Sequence, residues 1–342
     1  MNEGTAKRSS IDWSDFCRTV NNAQNFIIMG HVRPDGDTIG SLVAMKRALA
    51  ALGKETLLLN GHAVPPALAF VDPNNEVRKI AEMTEEERAF AANADVVMAV
   101  DVSSWAQLGP EAGEFFKPGT PGVKVVIDHH AVGDSIGDVR CVDSNSDSAG
   151  SLVFEAIQAL GAPFSKEIAE PLFVAISSDT GWFRFQSTTS GTLRRAAELV
   201  DAGVQVDEMY RLQNEQESFA RYKLLGAVAS KAERFLDGKG VFMRLTQQDF
   251  KDAGAIPADS EDLVNTPLVV AGMEVAVIVI EQPDGTVKAS FRSRCDLDCG
   301  KLAREFGGGG HARAAGASHP GDFETAVKDF KSKTIEYYNA LN

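Results

Sequence analysis

The sequence has few cysteines, no long apolar run and no excess of basic residues. Its 342 residues include four cysteines, which are too few and too scattered for a disulfide framework, so we expect four free thiols. The Cys295/Cys299 pair stands alone and is a weak signal for zinc. The apolar stretch 267–280 is interrupted by Gly272 and Glu274 and is shorter than the roughly 20 residues of a membrane helix. The first residues contain no apolar signal segment. We therefore expect a cytoplasmic protein without a membrane partner.

Acidic residues outnumber basic residues by 48 to 34, which gives a formal net charge of −14. This is the wrong sign for a protein that holds long nucleic acid through counterion release. Any nucleic-acid partner is therefore expected to be short and bound locally. A composition of 44% hydrophobic and 24% charged residues is typical of a globular protein and excludes disorder over most of the chain. The length allows one large domain or two ordinary ones.

Short, continuously apolar runs alternate with helical patterns in the first part of the chain. The runs are residues 25–30, 55–59, 95–100 and 123–127. Continuous apolar character is typical of strands buried on both faces of a parallel sheet. Helical periodicity over 38–52 and 148–160 completes a βαβ pattern. The sequence therefore predicts an α/β fold with a doubly wound, mainly parallel sheet.

The pattern changes after about residue 203. A polar, helix-like segment at 207–234 is expected to connect two domains. Strands are predicted at 240–245, 273–280 and 287–292, followed by a helix at 323–341. We therefore expect an N-terminal domain over 1–205, a helical linker over 206–234, and a smaller α/β domain with a mixed sheet over 235–342.

Acidic and histidine residues follow three of the apolar runs at the points where the predicted strands end. Because ligands of open α/β sheets bind beyond the carboxyl ends of the strands, these side chains are expected to converge. They are His31, Asp35, Asp37, Asp101, Asp128, His129 and His130. Asp179, in the segment SSDTGWF, is a further candidate whose membership the spacing alone leaves open.

Carboxylates crowded in this way repel one another unless cations neutralise them. Histidine nitrogen with several carboxylate oxygens suits manganese, magnesium, cobalt or iron. Two such ions about 3.5 to 4 Å apart can activate water and hold a phosphoryl oxygen, which favours phosphoester hydrolysis. A single aspartate after a strand is usually a cap, and Asp37 before Thr38 fits that interpretation too. Three strand ends that all finish in Asp or His favour the metal hypothesis.

A glycine run near the C-terminus is the second candidate site. It consists of Gly307, Gly308, Gly309 and Gly310, followed by His311. Consecutive glycines can direct backbone N–H groups into an anion-binding nest, although such a run can equally be a flexible loop. Residues 288–313 carry six basic residues against three acidic ones, which favours an anion pocket over an ordinary solvated face. Arg292 and Arg294, two apart on a predicted strand, are expected to share a face and bind phosphate.

The motifs HVRPDGDTIGS, DHH at 128–130 and SDTGWF resemble the signatures of the DHH phosphoesterase superfamily. GGGGHARAAG resembles the signature of the DHH-associated substrate-binding domain, so the resemblance spans roughly residues 25–316. The two-domain length is most similar to the oligoribonuclease-type members. RecJ-type exonucleases are longer, and family II pyrophosphatases lack the glycine signature. The resemblance implies hydrolysis of short oligoribonucleotides to mononucleotides and removal of the 3′ phosphate from 3′-phosphoadenosine 5′-phosphate.

The resemblance also implies a role for each motif residue. One metal is then held by His31, Asp35 and Asp101, and a second by Asp37, Asp101, His129 and Asp179, with Asp101 bridging. His130 is expected to face the scissile phosphate, with Asp128 supporting the histidines. The glycine run, His311 and either Arg292 or Arg294 are expected to hold the substrate. Manganese is the favoured ion, with magnesium or cobalt as alternatives.

Other hypotheses remain open from the sequence. The same metal set fits a phosphodiesterase for cyclic di-AMP or linear dinucleotides. A non-catalytic nucleotide sensor is disfavoured because a cluster of unneutralised carboxylates is costly to retain. A homodimer is an alternative to a monomer, formed through 273–280 or 207–234. Residues 249–265 match no motif.

Overall fold

A computed structural model describes residues 10–131 and 133–341. The chain divides into two compact units between Gln216 and Glu217. The strands of the first unit are β1 (Asn25–Met29), β2 (Glu55–Asn60), β3 (Val77–Lys79), β4 (Val96–Val100), β5 (Val123–Asp128) and β6 (Val139–Val142). Its α-helices are α1 (Ser14–Asn21), α2 (Gly36–Ala51), α3 (Glu85–Ala92), α4 (Trp105–Phe116), α5 (Ala149–Leu160), α6 (Lys166–Asp179), α7 (Ser190–Asp201) and α8 (Val206–Asn214). Short 3-10 helices lie at Pro66–Leu68 and Ile80–Glu82.

The six strands of the first unit form one parallel sheet in the order β3-β2-β1-β4-β5-β6. All five residues of β4 are buried, as expected for a strand covered on both faces. Helices α2, α5 and α6 pack against one another on one face, where Leu42, Val153 and Phe173 belong to a common core. Leu108 and Phe116 of α4 belong to the core on the other face. The predicted doubly wound fold is confirmed.

The chain leaves β1 toward β2 and β3, and later returns to the other side of β1 as β4. The strand order therefore reverses between β1 and β4. Such a reversal opens a crevice at the carboxyl ends of the two strands, which is where doubly wound proteins bind their ligands. The topology thus marks one place in the first unit for a functional site.

The second unit contains a mixed six-stranded sheet, as predicted. Its strands are β7 (Glu233–Phe235), β8 (Gly240–Leu245), β9 (Val275–Glu281), β10 (Val287–Ser293), β11 (Gly309–Gly310) and β12 (Ala314–His319), in the order β11-β12-β10-β9-β8-β7. Only β8 and β9 pair in parallel. Its helices are α9 (Phe219–Ser230), α10 (Gln247–Ala253), α11 (Cys299–Arg304) and α12 (Phe323–Asn339), with 3-10 helices at Pro257–Ser260 and Leu263–Val269.

The segment predicted as one connecting helix at 207–234 is two helices and a strand. Helix α8 ends at Asn214, α9 begins at Phe219, and β7 starts at Glu233. The Ser218 side chain accepts a hydrogen bond from the backbone N–H of Arg221, so Ser218 starts a new helix as its N-cap. Helix α8 belongs to the first unit and α9 to the second. In the part of the chain that the structure describes, no helix combines the length and apolar character needed to cross a bilayer.

Candidate metal centre

The carboxyl ends of β1, β4 and β5 lie side by side, since these three strands are adjacent and parallel. His31 follows β1, Asp101 directly follows β4, and Asp128 is the last residue of β5. His129 and His130 continue from Asp128. The sheet therefore brings together side chains that are almost one hundred positions apart in the sequence.

Two helices add the remaining carboxylates. Asp35 is the N-cap of α2, where its Oδ1 accepts a hydrogen bond from the Thr38 backbone N–H at 3.1 Å, and Asp37 lies in the first turn of the same helix. Asp179 is the last residue of α6, so its backbone is helical. Gly40 allows α6 to pack closely against α2. A Cβ at this position would lie only 2.3 Å from the Pro171 carbonyl oxygen. This close packing places Asp179, the last residue of α6, near the start of α2.

The first donor group consists of His31, Asp35 and Asp101, whose ligand atoms all lie within 4.8 Å of one another. His31 Nε2 is 3.3 Å from Asp101 Oδ2 and 3.8 Å from Asp35 Oδ1. Asp101 is 2% exposed, whereas the Asp35 side chain is largely exposed. The group is therefore open to solvent on one side.

The second donor group consists of Asp37, His129 and Asp179. His129 Nε2 lies 3.7 Å from an oxygen of each of these two carboxylates. The same nitrogen is 3.6 Å from Asp101 Oδ1. Asp37 is almost completely buried, and Asp179 is about one-third exposed.

Asp101 lies between the two donor groups. Its Oδ2 faces His31 and also accepts a hydrogen bond from Thr38 Oγ1 at 2.6 Å. Its Oδ1 faces His129 and has no hydrogen-bond partner among the described residues, although it is buried. The backbone of Asp101 has a φ of 62°, in the left-handed region that few residues other than glycine adopt. A strained backbone and an unsatisfied buried oxygen at one residue indicate a functional position.

His130 is oriented from behind by Asp128. Its Nδ1 lies 2.7 Å from Asp128 Oδ1, and Asp128 is fully buried. This contact is the main cause of the raised pKa of His130. The ring is 39% exposed, so Nε2 is left for another partner. The arrangement is that of an imidazole held in one orientation by a carboxylate.

The carboxylates raise the pKa values of two partly buried histidines, His31 and His129. Burial lowers the pKa of His31, but Asp101 and Asp35 outweigh it and raise that pKa to about 10. Burial likewise lowers the pKa of His129, and Asp101, Asp37 and Asp179 together raise it to about 10. Without other cations, both imidazoles therefore carry protons that offset part of the carboxylate charge.

The carboxylates also raise the pKa values of one another. Burial, followed by the charge of Asp101, raises the pKa of Asp37 well above its ordinary range. Burial raises the pKa of Asp179 to about 6; His129 opposes this shift, and Asp101 and Asp35 add to it. In Asp101 itself the hydrogen bonds from its neighbours outweigh burial, so its pKa is lowered. Positive charge bound at the cluster would therefore reduce the repulsion between these carboxylates.

The donor chemistry fits a pair of divalent cations. Each group offers one imidazole nitrogen and carboxylate oxygens, a combination that hard and borderline ions of the manganese type prefer. The unsatisfied Asp101 Oδ1 and the hydrogen-bonded Oδ2 face different groups, so Asp101 could offer one oxygen to each group.

The glycine run differs from the expected anion nest. The backbone N–H groups of Gly307 and Gly308 donate to carbonyl oxygens at the end of α11, and the His311 N–H donates to the Ala314 carbonyl. A Cβ at Gly308 would lie 2.3 Å from the Gly316 carbonyl oxygen, so this glycine permits close packing onto β12. These three amides are engaged within the second unit. The Gly309 Cα faces open space, and His311 is exposed.

The two arginines do not share one strand face. Arg292 lies on β10, but Arg294 lies beyond its last residue, Ser293. Arg292 Nε donates to Asn265 Oδ1 at 3.0 Å, and Arg294 Nη1 donates to the Leu268 carbonyl at 2.6 Å. The segment 249–265 thus supplies a partner for Arg292.

Sequence reasoning missed two contacts at the metal centre. Thr38 holds Asp101, and the backbone N–H groups of Ala149 and Gly150 each donate to Asp37 at 2.7 Å. Ser148, a good N-cap residue directly before α5, was the available signal for a helix N-terminus here.

Comparison with known proteins identifies the family that shares this architecture. Residues 25–176 match the DHH family, N-terminal domain, and residues 237–339 match the DHHA1 domain. The bifunctional oligoribonuclease and PAP phosphatase NrnA of Thermus thermophilus is 35% identical over 297 residues, covering 86% of this chain and 84% of that protein. The chain belongs to the DHH family. The family predicted from the motifs is thereby confirmed.

Two further relatives extend across nearly the whole chain of this DHH protein. The bifunctional oligoribonuclease and PAP phosphatase NrnA of Bacillus subtilis is 26% identical over 309 residues, covering 89% of this chain and 92% of that protein. The crystal structure of an exopolyphosphatase-related protein from Bacteroides fragilis superposes with a TM-score of 0.83 at 28% identity, covering 96% of both chains. The DHH and DHHA1 architecture is therefore shared over both units.

Proposed function

We propose that this protein is a two-metal phosphoesterase that hydrolyses short oligoribonucleotides to mononucleotides and removes the 3′ phosphate of 3′-phosphoadenosine 5′-phosphate. The observation that carries the proposal is the position of Asp101, whose two oxygens face two separate donor groups. The named activities of the Thermus and Bacillus relatives support the choice of substrates.

In this proposal each donor group would hold one ion. His31, Asp35 and Asp101 would hold the first, and Asp37, Asp101, His129 and Asp179 would hold the second. Manganese is the ion we favour. Bound ions would supply positive charge that lowers the pKa of water and stabilises the phosphoryl oxygens during displacement.

The protein side chains contribute positioning and proton control. Asp128 engages Nδ1 of the partly exposed His130 ring, which leaves Nε2 to donate to a phosphoryl oxygen of the substrate. The contact with Asp128 raises the pKa of His130, which favours the protonated form that can donate. Thr38 keeps one Asp101 oxygen directed toward His31.

We propose that the first unit carries the hydrolysis and that the second unit binds the remainder of the substrate. Arg292, about one-quarter exposed at its side chain, and the exposed His311 are the candidates for contacts with phosphate or sugar. Arg292 is held by Asn265 and lies 3.7 Å from Asp262, so a substrate phosphate would replace part of this contact. The net charge of −14 supports a preference for short substrates over long nucleic acid.

The test is a substrate panel with the purified full-length chain, with Mn²⁺ and with chelator. The panel contains a ribodinucleotide, a ribopentanucleotide, 3′-phosphoadenosine 5′-phosphate and cyclic di-AMP. We expect mononucleotide release from the linear substrates, phosphate release from 3′-phosphoadenosine 5′-phosphate, and loss of both with chelator. Asp101→Asn is the inactive control, because asparagine keeps the shape of the side chain and removes the bridging charge.

Each alternative result has a distinct meaning. Turnover of cyclic di-AMP in preference to the linear substrates would assign the protein to cyclic dinucleotides. Tight binding of nucleotides with no turnover would indicate a sensor. Equal activity of Asp101→Asn and the wild type would refute the two-metal proposal.

A further inference from the structure

We propose that the first turn of α5 fixes the orientation of Asp37, and that Asp147 is the positioning residue that fixes this turn. The inference rests on the proposed function, since it takes Asp37 as a metal ligand. It extends that function to a residue outside the two donor groups described above.

Both oxygens of Asp37 are held by backbone groups of α5. The Ala149 N–H donates to Oδ2 at 2.7 Å, and the Gly150 N–H donates to Oδ1 at 2.7 Å. These amides are the first two of the helix, where N–H groups have no partner within the helix and the helix dipole favours a negative charge. A carboxylate held at both oxygens cannot rotate about its terminal bond. Asp37 therefore keeps a fixed orientation, in which its Oδ2 lies 3.7 Å from His129 Nε2.

Close approach of α5 to Asp37 depends on glycine at position 150. A Cβ at this position would lie 2.5 Å from the Ala175 Cβ of α6 and 3.2 Å from Asp37 Oδ1. Any larger residue would push the first turn of α5 away from the carboxylate. The spacing between α5, α6 and Asp37 is thus set by the absence of one side chain.

Asp147 anchors this turn through side-chain hydroxyl groups. Its Oδ1 accepts hydrogen bonds from the hydroxyls of Ser148, at 2.9 Å, and Ser151, and its Oδ2 accepts one from Thr192 of α7. Ser148 is itself the N-cap of α5, and it accepts a hydrogen bond from the Ser151 N–H at 3.0 Å. Asp147 therefore connects the start of α5 to α7 in a network that is buried throughout.

Among the described residues Asp147 makes no hydrogen bond or ion pair with the donor groups, so its effect on the metal must pass through the α5 amides. It is 4% exposed, and Arg195 Nη1 lies 3.8 Å from its Oδ2. Asparagine at this position would replace one acceptor oxygen by an NH2 group, so the Ser148, Ser151 and Thr192 hydroxyls would lose an acceptor and the first turn could shift. Partners that orient metal ligands commonly contribute about 10- to 100-fold in metal affinity. We expect the lower end of this range for Asp147, because it acts through one further residue.

The decisive measurement is Mn²⁺ binding to the full-length chain without substrate, followed by the electron paramagnetic resonance signal of free Mn²⁺. The wild type is expected to bind two ions. In Asp147→Asn, one ion should bind about tenfold more weakly, and the other should bind as in the wild type. In kinetic assays kcat at fixed Mn²⁺ should fall while KM for a dinucleotide stays the same.

Asp72→Asn is the matched control. Asp72 is 5% exposed, and its Oδ1 and Oδ2 accept hydrogen bonds from the N–H groups of Glu76, at 2.7 Å, and Val77, at 2.9 Å. It is thus another buried carboxylate that holds local structure in the same unit, but it is outside the donor groups. Its substitution should lower the melting temperature without changing either Mn²⁺ affinity.

A second pair of variants keeps the test decisive if Asp147→Asn does not fold. Thr192→Val removes the hydroxyl that donates to Asp147, and Thr192→Ser retains it. Weaker Mn²⁺ binding in the valine variant, with recovery in the serine variant, supports the inference. Wild-type affinities in both Asp147→Asn and Thr192→Val would overturn it and leave the proposed function intact. A wild type that binds no Mn²⁺ would overturn both.

Discussion

Replacement of Asp179 by asparagine is expected to stabilise the metal-free protein and to weaken metal binding. Burial and the charges of Asp101 and Asp35 raise the pKa of Asp179 to about 6 from its ordinary value of 3.8, against the opposing effect of His129. The folded state therefore holds a proton on this carboxyl more tightly than the unfolded chain does. Ionised Asp179 costs folding free energy, and that cost appears as the pH rises from about 4 to about 6.

The size of the effect follows from the pKa difference. One pKa unit corresponds to 1.36 kcal/mol, so a difference of about two units gives about 3 kcal/mol above pH 6. The Asp179 side chain is 35% exposed, and solvent screening reduces this value to about 1 to 2 kcal/mol. Asparagine never ionises, so Asp179→Asn should avoid the penalty at pH 7.5 and gain nothing at pH 4.

The assay is urea unfolding of both proteins in chelator at pH 7.5 and pH 4, repeated with Mn²⁺ at pH 7.5. Mn²⁺ at 100 times its Kd should stabilise the wild type by about 2.7 kcal/mol and the variant by less, so the stability advantage of the variant should shrink. Asp201→Asn, at an exposed position of the same unit, is the control and should change neither value. Equal stability of wild type and Asp179→Asn in chelator at pH 7.5, or an equal gain with Mn²⁺, would refute the reasoning.

Three further substitutions test separate parts of the centre. Asp128→Asn should lower kcat by about 100-fold without changing Mn²⁺ content, because His130 loses its orienting partner; unchanged kcat would contradict that role. Thr38→Val should weaken Mn²⁺ binding and Thr38→Ser should restore it, as judged by titration, since only the hydroxyl contacts Asp101; equal affinities in the two variants would remove Thr38 from the site. Arg292→Gln should raise KM for a dinucleotide several-fold with kcat retained, and a pure kcat effect in steady-state kinetics would argue against a substrate contact.

Much of the fold of the first unit was predictable because strands buried on both faces of a parallel sheet appear in the sequence as continuous apolar runs. The runs that became β1, β2, β4 and β5 are continuously apolar, and three of them end in Asp or His. Strand adjacency then made convergence of those residues a consequence of topology. The short outer strands β3 and β6 have no such apolar run, because edge strands this short have few core positions to fill.

Other features depend on tertiary contacts that the sequence does not encode locally. Spacing alone left the membership of Asp179 in the site open, because the apolar stretch before it, 172–176, suits a strand and a buried helix equally well. The glycine run was predicted as a nest, but the end of α11 and the proximity of β12 determine where its amides point. Strand β12 itself consists mainly of small residues that carry little strand signal.

The left-handed backbone at Asp101 restricts which residues this position can accept, whatever chemistry the site performs. Alanine would carry a penalty of about 1 to 2 kcal/mol there, whereas asparagine and glycine tolerate the conformation. Asp101→Ala would thus remove the carboxylate charge and strain the backbone at the same time. Asp101→Asn removes the charge without the backbone penalty. The same restriction applies over evolutionary time. In a descendant that had lost the metal site, this backbone conformation would favour asparagine or glycine at the position.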